Sequence, residues 1–336
     1  MIIDAHAHMY HGSYLVWLSE AGGPDARKRI DRLEEAARRR PSTMDVAERL
    51  AMLDRNAFDF QVVTPPGGGN LPADENADRS AMVRIINDGM ARLMEESKGR
   101  LIAGGTVSLT DFGRGGEEEM VRAVEELGLK AITVPSHFKG QPLDVPELEP
   151  FWARAEELDV PIYIHPSSPD QHRDRGYEAG YDLSHNFGWP FETELSLSRL
   201  VFSGIMERYP DLKVVGHHLG GGLPFFWGRT CETYAEDNDF NAANKASMSV
   251  LSHPLFEYFS RFYYDTAVGG SAAAIRCALE VFGPDHLLFA TDAPNGPGTG
   301  EVRLATYPTV VRSLGLSAGD TENILSGNVR KMLKLG

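Results

Sequence analysis

Short apolar runs alternate along this chain with longer stretches whose apolar residues recur every three or four positions. "MIID" (1–4) reads as a strand. "PDARKRIDRLEEAARRR" (24–40) and "STMDVAERLAMLDRNA" (42–57) read as helices, the second with Ser42 or Thr43 available as N-cap. "FDFQVVTPP" (58–66) is a strand stopped by a proline pair, and "ENADRSAMVRIINDGMARLMEES" (75–97) is a helix. The alternation continues with a strand at 101–109, a helix at 116–128, a strand at 129–135 and a helix at 146–159. A strand at 160–166, a helix at 192–210 and a strand at 212–218 follow. Then come a strand at 259–267, a helix at 271–283, a strand at 285–292 and closing helices at 302–315 and 319–336.

The pattern yields eight strand candidates, centred on 1–4, 58–63, 101–107, 129–135, 160–165, 212–217, 260–265 and 285–291. Repeated strand–helix units require parallel strands with helices over the sheet. Eight of them predict an α/β fold, a (β/α)8 TIM barrel. The rival, a doubly wound open sheet, normally carries a Gly-rich turn directly after its first strand, and "IIDAHAH" has none. No repeat or linker interrupts the pattern, so residues 1–336 are expected to form a single domain. The longest departures from short loops are 9–23, 167–191 and 231–258, insertions after strands 1, 5 and 6. They are expected to form caps, lids or subunit contacts.

Composition narrows the function. With 48 acidic against 33 basic residues the formal charge is −15, which disfavours nucleic-acid binding, a task that needs basic surface. No apolar run approaches a membrane span, and no cationic leader precedes an apolar stretch. The two cysteines, Cys231 and Cys277, lie far apart, so a reduced cytoplasmic protein is expected.

Chemistry-bearing residues fall at the predicted strand ends, where a barrel keeps its active site. Strand 1 ends in His6 and His8, strand 4 runs into His137, and strand 5 ends in His165. Strand 6 ends in His217 and His218, strand 7 in Asp265 and strand 8 in Asp292. Residues i and i+2 of a strand share a face, so His6 and His8 can aim both imidazoles at one point. With His165 and Asp292 they make three nitrogen donors and a carboxylate, a set that suits zinc and other first-row divalent ions. Each piece alone has a plainer reading: an isolated HxH is more often structural, and an aspartate before a proline can cap a turn. The case rests on four ligand types arriving together. Asp265 reads either as a carboxylate that orients an imidazole or as a strand-end cap. His11 either lines the mouth or is solvated, and His172, His185, His253 and His286 read as loop or surface residues. The "GGG" runs at 67–69 and 220–222 lack a phosphate-loop fingerprint and read as tight turns.

These motifs resemble the amidohydrolase superfamily, in the branch of aminocarboxymuconate-semialdehyde decarboxylase and γ-resorcylate decarboxylase. The resemblance rests on "IDAHAH" (3–8), "IYIHP" (162–166), "GWPFETELSLSRLVFSGIMERYPDLKVVGHHLGGGLPFFWGR" (188–229), "LLFATDAP" (287–294) and "ILSGNVRKML" (324–333). It implies a distorted barrel with one divalent metal, most often zinc, with manganese as the alternative. The implied ligands are His6, His8, His165 and Asp292. The family's acid/base histidine carries over to His218, directly after His217, and adjacent strand residues are expected to face opposite ways. The binuclear members' strand-4 lysine has no counterpart on "AITVPSH", which favours one metal; Lys139 lies beyond that strand.

The expected reaction is non-oxidative decarboxylation of a hydroxylated aromatic or muconate-like acid, with His218, oriented by Asp292, transferring the proton. His137, His217, Lys139 and Trp189 are candidate substrate contacts. Arg49 and Arg55 either neutralise a second carboxylate or lie on a helix surface. The same residues would equally serve a metal-dependent hydrolase, and a third reading keeps the barrel for ligand binding alone. The family resemblance also implies a homodimer or higher homo-oligomer. The partner otherwise expected is a small carboxylic acid.

Overall fold

The computed structural model describes residues 1–21, 26–66, 79–138, 140–167, 181–235 and 248–336. Among the described residues, nine short strands run parallel. β1 (Ile3–His8), β2 (Phe60–Thr64) and β3 (Leu101–Ala103) form one sheet. β4 (Gly105–Thr106), β5 (Ile132–Pro135), β6 (Ile162–His165), β7 (Val214–Gly216), β8 (Tyr263–Asp265) and β9 (Leu287–Leu288) form the other. β3 and β4 are one chain segment interrupted at Gly104. Gly104 N–H donates to Val63 O (2.9 Å) on one side, and Gly105 N–H donates to Ala131 O (2.8 Å) on the other. The residues after β9 return to β1, where Ala5 N–H donates to Phe289 O (2.8 Å), His8 N–H to Ala293 O (2.7 Å) and Asp292 N–H to His6 O (2.8 Å). Hydrogen bonds therefore link each of the eight strand positions to its neighbours around a ring, the predicted barrel.

Two apolar clusters follow from this ring. The inner one takes a residue from every position, including Ile3, Ala5, Val62, Ile102, Ala131, Tyr163, Val215, Tyr263 and Leu288. Val329, Met332 and Leu333 of the last helix pack against it. The outer cluster, between strands and helices, includes Ala7, Val63, Ile132, Ile164 and Phe289. Strand 1 changes side along its length: Ala5 is inner and Ala7 outer. The change coincides with an irregularity in its pairing with β2 between Asp4 and Ala7, a bulge that re-aims side chains. His6 and His8 are turned toward the barrel mouth as a result.

Several boundaries differ from the sequence reading. Strand 1 extends through His8, so both histidines lie on the strand. The helix expected at 42–57 begins at Val46, and its N-cap is Asp45, whose carboxylate accepts from Glu48 N–H. Ser42 and Thr43 lie instead in a short 3-10 turn. The 192–210 helix starts at Trp189 and breaks after Phe202. Much of the 9–23 insertion is a packed helix, Ser13–Ala21, with Tyr14, Trp17 and Leu18 buried. No helix among the described residues is long and apolar enough to cross a membrane.

Candidate metal centre

Three imidazoles converge at the mouth of the barrel. His6 Nε2 and His8 Nε2 are 3.1 Å apart, and the ring of His165 lies 5.1 Å from that of His8 and 6.0 Å from that of His6. Asp292 Oδ1 completes the set, 3.3 Å from His8 Nε2 and 3.9 Å from His6 Nε2. Donors held about 2.1 Å from a zinc-sized ion stand roughly 3.0–3.4 Å apart around it, so the spacing fits a first-row divalent ion.

The other ring nitrogens support this geometry. His8 Nδ1 is 3.2 Å from Thr64 Oγ1, His165 Nδ1 is 2.7 Å from Pro166 O, and His6 Nδ1 is 2.9 Å from Asp265 Oδ2. Each Nδ1 has an oxygen beside it, which leaves each Nε2 to the shared point, the arrangement that orients metal-ligating histidines. Burial and the neighbouring histidines hold His165 well below its usual range, and burial lowers His8. Burial also works against a charge on His6, but Asp265 and Asp292 outweigh it and raise this group. Burial would raise Asp292, yet its hydrogen bond with His8 and the charge of His6 keep it well below the usual carboxylate range. The neutral imidazoles of His8 and His165 beside an ionised carboxylate are ready ligands, and His6 joins them by releasing its proton, since ligation requires the neutral ring.

Asp265 fills both of its expected roles, orienting carboxylate and strand-end cap. Its Oδ2 serves His6 Nδ1 and also His217 Nδ1, while Oδ1 accepts from His218 N–H (2.9 Å) and Ala267 N–H (3.0 Å). His6, His217 and Asp265 also cluster closely enough to hold an ion, but Asp265 Oδ2 already stands between the two imidazoles, hydrogen-bonded to His217 Nδ1 and 2.9 Å from His6 Nδ1. His217 is fully buried and stacked on His6 with ring centroids 3.7 Å apart. Burial, and then the charge of His6, push it down to about 3. Its Nε2 has no hydrogen-bond partner among the described residues.

His218 is half-buried, its ring 5.8 Å from His6. The expectation that His217 and His218 face opposite ways is corrected. The strand ends at Gly216, His218 takes a φ of 56° in the left-handed region, and both rings stay beside His6. The expectation that Asp292 orients His218 is corrected in part. Asp292 acts on His218 through space, and its oxygens are engaged by Asn295 Nδ2 (3.0 Å) and Arg303 Nη1 (3.1 Å). Neither partner had a sequence signal, because each depends on how the loop after strand 8 folds back.

Trp189 packs edge-on against His165 at 5.6 Å and walls the site. Its helix is brought close by the "GGG" turn at 220–222. Gly221 has a φ of +68°, and a Cβ there would stand 1.9 Å from Pro190 O, so only glycine fits. His137 follows β5 and accepts from Gly140 N–H through Nδ1 (3.2 Å). Lys139, His172 and the 67–69 run lie outside the described residues. His11 pairs with Ser13 and Glu96, and His286 is half-buried and stacked on Tyr263 rather than surface-bound.

Arg49 belongs neither to the substrate pocket nor to the surface. It is fully buried and donates to Ser42 O (2.8 Å), Gln61 Oε1 (2.8 Å) and His8 O (2.7 Å), bracing strand 1 from behind. Arg55 is on the surface, paired with Glu301.

The chain resembles known proteins over most of its length. The amidohydrolase family model matches residues 3–335. The 2-amino-3-carboxymuconate-6-semialdehyde decarboxylase of Dictyostelium discoideum is 28% identical over 291 residues, 85% of this chain and 76% of that protein. A γ-resorcylate decarboxylase of Rhizobium radiobacter is 30% identical over 261 residues, 73% of this chain and 76% of that one. Among solved structures, 5-carboxyvanillate decarboxylase of Novosphingobium aromaticivorans, complexed with manganese and 4-hydroxy-3-methoxy-5-nitrobenzoic acid, superposes with a TM-score of 0.79. It is 23% identical, over 100% of this chain and 96% of that one.

Proposed function

The chain belongs to the amidohydrolase family, and we propose that it is a metal-dependent decarboxylase of a hydroxylated aromatic or muconate-like carboxylic acid. The convergence of His6 Nε2, His8 Nε2, His165 and Asp292 Oδ1, each imidazole backed by an oxygen at Nδ1, carries this reading. Its relatives' reaction favours carbon dioxide release over hydrolysis.

These four residues would hold one divalent ion, zinc or manganese. Bound there, the ion would stabilise the negative charge that develops as the carboxylate leaves. When the C–C bond breaks, its electron pair stays on the substrate carbon, and a proton must reach that carbon. His218 delivers it: it is half-buried at the mouth, and burial lowers its pKa against the opposing charges of Asp265 and Asp292, which makes its imidazolium a readier proton donor. His217 is sealed beneath it and acts by holding His6 and Asp265 in place. Trp189 supplies a flat wall for a planar substrate, and His137 stands as an outer contact. The test is carbon dioxide release from a panel of hydroxybenzoic and muconic acids by the metal-loaded protein. Release from at least one is expected. Turnover of lactones or esters with no release from any acid would replace this reading with hydrolysis.

Residues 1–336 act as one catalytic domain on this reading. A second copy of the chain covers the aromatic face made by Phe187, Phe191, Leu195, Phe225 and Phe226, all exposed; exposed apolar patches of this kind mark interaction sites. A dimer mass by light scattering, reduced to monomer by Phe225→Glu with Phe187→Glu, is expected. An unchanged mass would move the interface elsewhere. Unpaired Cys231 and Cys277 suit a reducing compartment such as the cytoplasm.

A further inference from the structure

We propose that Arg303 is a positioning residue for Asp292: its guanidinium takes one carboxylate oxygen and leaves the other to the histidines. The inference rests on Asp292 being a ligand. Asp292 is a non-glycine residue with φ 59°, in a conformation that few residues adopt without support. Its backbone N–H is fixed by His6 O. Without further support its carboxylate could still turn about its own bond and exchange its two oxygens.

The structure removes that freedom. Arg303 lies in the first turn of the helix Glu301–Arg312 and reaches back over the loop. Its Nη1 donates both to Thr291 O (3.0 Å) and to Asp292 Oδ2 (3.1 Å). One nitrogen therefore ties the carboxylate to the backbone just before it. Asn295 Nδ2 approaches Oδ1 from the loop, and Oδ1 is the oxygen that faces His8 and His6. The two oxygens have different jobs, and the charge-assisted bond to the guanidinium keeps them distinct.

A second feature of the chain serves the same arm. Gly296 has a φ of +95°, and a Cβ built there would stand 2.3 Å from Arg303 Nε and 2.8 Å from its Cζ. Glycine lets the loop lie flat on the guanidinium and hold it against Asp292. A side chain at 296 would push the guanidinium away without removing its charge.

The experiment uses the full chain, stripped of metal, as wild type, Arg303→Met, Arg303→Lys, Gly296→Ala and Asp292→Asn. Mn2+ affinity is read from the electron paramagnetic resonance signal of free ion, and coordination from the visible absorption of the Co2+ form. Arg303→Met is expected to weaken Mn2+ binding about 10- to 100-fold, the usual cost of losing a residue that orients a ligand, and to alter the Co2+ band intensities. Arg303→Lys should restore most of the affinity, which a purely structural role in pinning the helix would not require. If Arg303→Met does not fold, Gly296→Ala carries the test with the same expected Co2+ change. Wild-type affinity and spectrum in Arg303→Met or in the Gly296→Ala substitute, with binding lost in Asp292→Asn, would overturn the proposal and leave the ligand set standing. Unchanged binding in Asp292→Asn would remove the ligand assignment itself.

Discussion

Two histidine pairs meet at this barrel mouth by opposite routes. His6 and His8 are two residues apart on a strand, and the pleat places both on one face once the bulge before Ala7 has turned that face inward. His217 and His218 are adjacent, so a continued strand would have separated them. They stay together because His218 takes a left-handed backbone and the chain turns out of the strand. The first pair offers two Nε2 atoms 3.1 Å apart. The second is unequal: His217 is sealed and bound to Asp265, whereas His218 is half-buried at the mouth. A strand with a single bulge keeps two ligands on one face, and a broken strand yields residues with separate tasks.

The comparison fails outright if the first pair is not a ligand pair. His6→Ala, His8→Ala and His165→Ala are each expected to lose bound metal and at least about 10³-fold in kcat/KM, measured by elemental analysis and carbon dioxide release. Full metal content in any of them would break the assignment. The second pair is tested next. His218→Asn should keep its metal while kcat falls about 10²- to 10⁴-fold, the range for a lost proton donor.

His217→Asn should do the reverse on a smaller scale. Mn2+ binding weakens about 10-fold or more, since Asp265 loses one of the two imidazoles it bridges, and kcat at saturating metal changes little. If His217→Asn abolishes turnover with metal retained, and His218→Asn does not, the two roles are exchanged. The last test concerns the strand beneath the first pair. Arg49→Met leaves His8 O, Gln61 and Ser42 O without their buried donor and should lower unfolding free energy by about 3 kcal/mol in a urea titration. A change below about 0.5 kcal/mol would show that the brace behind strand 1 adds nothing.

Much of this was readable before any coordinates. The strand–helix alternation predicted the barrel because period-2 and period-3.6 patterns are local properties. The His-x-His spacing, His165 and Asp292 were legible because strand ends put them at one barrel face. Asp265 was only half legible, since seeing that it is both an orienting carboxylate and a cap needs the distance to His6 and His217. What could not be read depends on irregular backbone or on contacts distant in sequence. The parity change in strand 1 follows from a bulge with no sequence mark. The joint approach of His217 and His218 follows from one positive φ. Arg49 reads as a helix-surface residue because its partners, Gln61 and His8 O, come from other elements. The Arg303 and Asn295 contacts to Asp292 follow from loop geometry that no periodicity encodes.

The central claim is that one divalent ion is held by His6, His8, His165 and Asp292 while His218 stands apart as the proton donor. Titrating stripped protein with Mn2+ and counting bound ions per chain tests it most directly. The account predicts one ion per chain in the wild type and in His218→Asn, and none at the same concentrations in His165→Ala. Two ions in the wild type, or one retained in His165→Ala, would contradict it.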